Sequence, residues 1–112
     1  MDKLKIELYT KGRSNHYYAK ALYVDGKVIV LAGSKIAINT TEKKFSKLVA
    51  VNRNDKHVVG SDMILKKDVE FTSSSLAAQF VTSNISNGLR VWRTNAGQTL
   101  KSYLNGENVY DT

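Results

Sequence analysis

Two acid-x-lysine triplets, Asp25-Gly26-Lys27 and Glu42-Lys43-Lys44, are the nearest approach to a catalytic constellation in this chain. Some metal-dependent nucleases set such a triplet beside a further acid on an adjacent strand, where carboxylates hold the metal and the lysine polarises phosphate or water. A lysine-rich chain supplies such triplets by chance, and each acid has an ordinary structural role, Asp25 in a turn and Glu42 at a helix start. His16 and His57 lie in separate polar loops with no HxxxH or HExxH spacing, and the chain has no cysteine. The three ligands that a zinc site needs are therefore not assembled. No G-x-S-x-G elbow accompanies the serines, and neither GxGxxG nor GxxxxGK[ST] appears among the seven glycines. The expectation is a protein with no catalytic residues, no bound metal and no cofactor.

Residue types suited to binding a polyanion are better represented. Lys43, Lys44, Lys47, Arg53 and Lys56 gather on or near one expected helix, opposed mainly by Glu42 and Asp55. Such contacts to phosphate are independent of base sequence and sensitive to salt. Arg90 and Trp92 alternate on one face of an expected strand, with Arg93 on the other. An exposed Trp92 there would stack on a base while the arginines meet phosphates; the competing reading makes Trp92 the largest side chain of the core. Ser73, Ser74 and Ser75 stand before an apolar helical pattern, where their amides suit an anion and their hydroxyls suit capping.

The elements that must position these residues follow from patterning. Leu4, Ile6 and Leu8 alternate with Lys3, Lys5 and Glu7, the period of a half-buried strand. Tyr17–Val24 and Lys27–Leu31 are β-rich runs joined by Asp25-Gly26, a strong signal for a two-residue hairpin. Thr40 or Thr41 caps a helix with Phe45, Leu48, Val49 and Asn52 on one face and Arg53 elsewhere. Met63–Leu65 and Val69–Phe71 read as short extended pieces. Leu76, Ala77, Phe80 and Val81 make the stripe of a second helix, and Asn87-Gly88 reads as a turn into a strand over Leu89–Thr94. Thr99–Leu104 is a final short element, and 105–112 a frayed tail. The expected class is α+β, a small antiparallel sheet with two short helices packed on it, in a single domain over 1–112.

Charge is uneven along this chain. Residues 1–56 carry 12 Lys/Arg against 5 Asp/Glu, whereas 57–112 carry 5 against 5. A field of that kind attracts nucleic acid or an acidic protein surface. The longest apolar run, Val28–Ala32, is far short of a membrane span. With no cysteine and no apolar leader, the cytosol is the expected location.

Phe71-Thr-Ser-Ser-Ser-Leu-Ala-Ala-Gln-Phe-Val, then Asn87-Gly88, Trp92 and Gly97-Gln98-Thr99-Leu100, resemble the domain of unknown function family 4357. Its members carry F-S-S-P-S-x-A-A, then N-G, W and G-x-T-L, and Leu31-Ala32-Gly33-Ser34 is similar to the family's apolar-G-S entry. The resemblance spans 28–104, with a strand-rich extension over 1–27. Ser74 stands where the family has proline, and Leu89 where a second tryptophan often follows N-G. Members commonly follow GIY-YIG nuclease domains or occur in restriction-type contexts, and no such catalytic domain is present in this chain. The resemblance implies a non-catalytic accessory module that binds DNA weakly and serves a nuclease or methylase partner. The alternative is a protein-interaction module whose partner is acidic or pairs with an exposed strand edge.

Overall fold

The computed structural model describes residues 5–12, 14, 16–38, 47–83 and 87–105. Five strands form one antiparallel sheet: β1 (Lys5–Lys11), β2 (Tyr18–Val24), β3 (Lys27–Val30), β4 (Val69–Phe71) and β5 (Arg93–Thr94), in the order β4-β3-β2-β1-β5. Four helices are described: α1 (Lys47–Arg53), α2 (Ser74–Thr82), α3 (Gly88–Val91) and α4 (Leu100–Leu104). This is the expected α+β class, with two single-turn helices added to the two that periodicity predicts.

The β1-β2-β3 meander forms where alternation placed it. Asp25 and Gly26 both take positive φ (52° and 82°), the geometry of a type I′ turn. That turn pairs Val24 with Lys27 and Leu22 with Ile29. Because neighbouring residues of a strand face opposite ways, Leu8, Ala19, Ala21, Val28 and Val30 all enter the core. The two central alanines are small, and volume comes from Trp92, Phe71 and Phe80 on surrounding elements, all fully buried. The Phe71 and Phe80 rings lie 5.0 Å apart.

Two expectations are corrected. The strand expected over Leu89–Thr94 is a helical turn followed by two strand residues. The Asn87 side chain accepts from Leu89 N–H, and this cap makes Gly88–Val91 helical despite the β-favouring residues nearby. Only Leu8 and Tyr9 of β1 find partners there, Thr94 and Arg93. In α1, Leu48 is 42% exposed while Val49 is fully buried. The expected start of that helix, with Thr40, Thr41, Glu42, Lys43, Lys44 and Phe45, lies outside the described residues, as does the tail beyond 105.

Candidate nucleic-acid interface

Arg53 does not join a cationic surface on α1. It sits one turn after the buried Val49, so its side chain runs inward. Nε donates to the Phe80 carbonyl at 3.0 Å and an Nη to the Ala37 carbonyl at 2.8 Å, with the guanidinium 6.0 Å from the Phe80 ring centre. Burial pulls its pKa down to about 10, so it remains charged at neutral pH. The planar fork ties α1 to α2 and to the segment after β3, which corrects its assignment as a phosphate contact. Lys47 and Lys56 are exposed on the helical side, while Lys43 and Lys44 lie outside the described residues. Arg53→Lys keeps the charge but cannot span two carbonyls. It is expected to cost about 2 kcal/mol, the scale of one hydrogen bond to a charged group, in a urea melt, and to leave nucleic-acid binding unchanged.

Trp92 is likewise corrected: it is fully buried, and its Nε1 donates to the Ser74 carbonyl at 3.1 Å. No base can stack on it. The side chains of Ser73 and Ser75 are engaged as well. Ser73 Oγ accepts from Leu76 N–H as the α2 N-cap, and Ser75 Oγ accepts from Gly88 N–H at 3.1 Å. The α2 start is thus closed by α3 and Trp92, which favours capping over an anion site at Ser73, Ser74 and Ser75. Ser74 is the first helical residue, after an extended Ser73 (φ −147°, ψ 155°). Proline is tolerated at that position and after that conformation. Ser74→Pro is therefore expected to stabilise the fold by roughly 0.4–1 kcal/mol, read as a small rise in Tm.

Arg90 and Arg93 do come together, with residues the sequence reading passed over. A cleft of about 440 Å³ at the β1–β5 side of the sheet is lined by Tyr9, Lys11, Tyr17, Arg90 and Arg93 among others. It adjoins the sheet face turned away from the core. On that face, Tyr9 pairs across the strands with Lys20 on one side and Arg93 on the other. Tyr18 pairs with Lys11 on one side and Lys35 on the other. Directly opposed residues share a face, so each tyrosine stands between two cations. A shallow cleft of about 380 Å³ lies among Tyr9, Tyr18, Lys20, Leu22 and Leu31.

Carboxylates also stand on this face, and Glu7 lines the 380 Å³ cleft with Tyr9, Tyr18 and Lys20. Glu7 opposes Leu22 and accepts from Asn95 Nδ2 at 2.9 Å, and Glu70 lies 3.9 Å from Lys27. Among the described residues, Lys11, Lys20, Lys35, Arg90 and Arg93 form no ion pair. Arg93 donates to the Gly97 carbonyl at 2.8 Å, which anchors its guanidinium and leaves its other N–H groups available. The legible signal was the outward half of the alternation in β1 and β2, where Tyr and Lys take turns. The β1–β2 register that brings them opposite each other depends on the loop between the strands and was not.

His16 and His57 are both exposed, and no group of three or more metal-ligating side chains occurs among the described residues. No helix among them is long and apolar enough to cross a membrane.

Several positions of the sequence motif have structural duties. Gly33 and Gly97 take positive φ (88° and 86°), and Ser34 Oγ both accepts from Lys20 N–H and donates to the Lys20 carbonyl. Leu100 is fully buried, and its N–H donates to the Trp92 carbonyl. No curated protein and no solved structure matches the chain. The family match begins inside β1, so most of the N-terminal hairpin is part of the matched region. Over residues 8–104 the sequence fits the family described as Domain of unknown function (DUF4357), and the chain belongs to it.

Proposed function

We propose that this domain is a non-catalytic accessory module that binds nucleic acid weakly through the cationic end of its outward sheet face. The observation that carries this reading is the convergence of Lys11, Lys20, Lys35, Arg90 and Arg93 from separate elements without carboxylate partners among the described residues. The helix around Lys47 and Lys56 is secondary to it. The family likeness supports DNA as the ligand and a nuclease or methylase as the protein served; the absence of cysteine suits the cytosol. The edge-strand alternative has less support, because the edge strands β4 and β5 are three and two residues long, and short edges offer little to pair with.

Fluorescence anisotropy with a labelled oligonucleotide tests the reading. If roughly four phosphates are neutralised, affinity falls on the order of 50- to 150-fold between about 50 and 200 mM salt. The double variant Lys11→Glu, Arg93→Glu abolishes binding, whereas Lys47→Ala leaves most of it. Absence of binding at low salt, or binding indifferent to salt, removes the proposal.

A further inference from the structure

Resting on that reading, we infer that the ligand of the outward sheet face is a single-stranded nucleic acid, two of whose bases stack on Tyr9 and Tyr18. A duplex shows its phosphates and groove edges but hides its base faces. This face offers more than a phosphate track. Each of the two tyrosines stands on the outward face of adjacent central strands, and Tyr18 is 41% exposed. Tyr9 opposes Lys20, and Tyr18 lies two residues before Lys20 on β2, so the tyrosines are diagonal neighbours, about 7–8 Å apart along the sheet. Stacked bases of one strand rise only about 3.4 Å per step. A chain whose bases are splayed apart fits that spacing and a stacked helix does not.

Charge follows the same geometry. Arg93 and Lys20 flank Tyr9, and Lys11 and Lys35 flank Tyr18, so every stacking position has a cation on either side for the phosphates that precede and follow the base. Leu22 and Leu31, beside the tyrosines in the 380 Å³ cleft, supply apolar floor for a base that has left its stack. Glu7 lines the same cleft opposite Leu22, where Asn95 Nδ2 donates to it, so the Leu22 end of the array is its less cationic end; Glu70 lies further off, opposite Ile29. Aromatic platforms interleaved with a cationic groove bind single strands with little sequence preference.

The test compares a labelled single-stranded oligodeoxynucleotide of about 12 nucleotides with the same strand annealed to its complement, at about 50 mM salt, using the full chain. The single strand binds at least roughly tenfold more tightly. Tyr9→Ala and Tyr18→Ala each weaken it roughly 5- to 150-fold, the range for loss of one stacked base. Tyr9→Phe and Tyr18→Phe, which keep the ring, bind as the parent does. Both alanine variants leave the salt slope unchanged, because no phosphate contact is lost, whereas Lys11→Ala lowers it by about 0.7. Thermal melts of the same variants separate a binding loss from a folding loss, and Tyr18→Ala is the safer variant because Tyr18 is the more exposed of the two. Duplex binding equal to or tighter than the single strand, or alanine variants without effect, overturns this inference and leaves nucleic-acid binding intact. Failure of both probes to bind removes that reading as well.

Discussion

Trp92→Ala is expected to destabilise the domain by about 3–5 kcal/mol, the usual cost of emptying a large aromatic site in a core. Small domains have only about 5–15 kcal/mol in total, so the variant sits near the edge of folding. The side chain has no solvent exposure, and it does two things at once. Its ring fills the core between sheet and helices, and its Nε1 satisfies the Ser74 carbonyl in the first turn of α2. Trp92→Phe separates them. It keeps most of the apolar volume but leaves the Ser74 carbonyl without its donor, at about 1–3 kcal/mol. Calorimetric melts of the two variants should therefore fall in the order parent, Phe, Ala. Below its own Tm, Trp92→Phe should bind nucleic acid as the parent does, since no base reaches the indole. A Trp92→Ala protein melting within a few degrees of the parent would show that the ring is not the centre of the core. A folded Trp92→Phe with impaired binding would restore the stacking role.

How far the sequence reached depends on whether each feature is local. The β2–β3 hairpin was legible because Asp25-Gly26 dictates both the turn and, through its two-residue length, the register. The α2 helix was legible because its N-cap, Ser73, and its stripe, Ala77, Phe80 and Val81, are contiguous. The α3 turn was not, since Leu89, Val91 and Trp92 favour strands and the deciding contact is a single side-chain cap from Asn87. Arg53 misled for a different reason. An arginine four residues after a buried valine reads equally as a solvated charge or as a side chain turned inward, and only the carbonyls of Ala37 and Phe80, distant in sequence, make the second true. The charge excess of the first half was likewise real in sequence but not localised by it. Lys11 and Lys20 meet Arg93 and Tyr9 through β1–β2 and β1–β5 pairings, and the loop and crossover that set those registers carry no comparable local signal.

Gly88→Ala gives the sharpest contest between local preference and tertiary packing. Gly88 is the first residue of α3, and its φ is not among the positive ones. Helix propensity alone predicts that alanine there stabilises, by up to about 1 kcal/mol. The packing predicts the opposite. A Cβ on Gly88 would overlap the Ser74 carbonyl carbon and oxygen and the Ser75 nitrogen, and these are backbone atoms that cannot swing aside. The two helices would have to separate, stretching the Gly88 N–H bond to Ser75 Oγ and the Trp92 Nε1 bond to the Ser74 carbonyl. Overpacking of this kind costs about 1–3 kcal/mol, and weakening two hydrogen bonds adds about 1 kcal/mol each, so a loss of about 3 kcal/mol or more is expected. Gly26→Ala is the matched comparison. Gly26 has positive φ, but a methyl group there would meet nothing within 4 Å, so it pays only the left-handed strain of about 1–2 kcal/mol. Ranked by φ, Gly26 is the sensitive glycine; ranked by what surrounds the α-carbon, Gly88 is. Denaturant melts showing Gly88→Ala as stable as the parent, or less damaging than Gly26→Ala, would mean that α3 does not lie against the start of α2, and the clamp formed with Trp92 would fall with it.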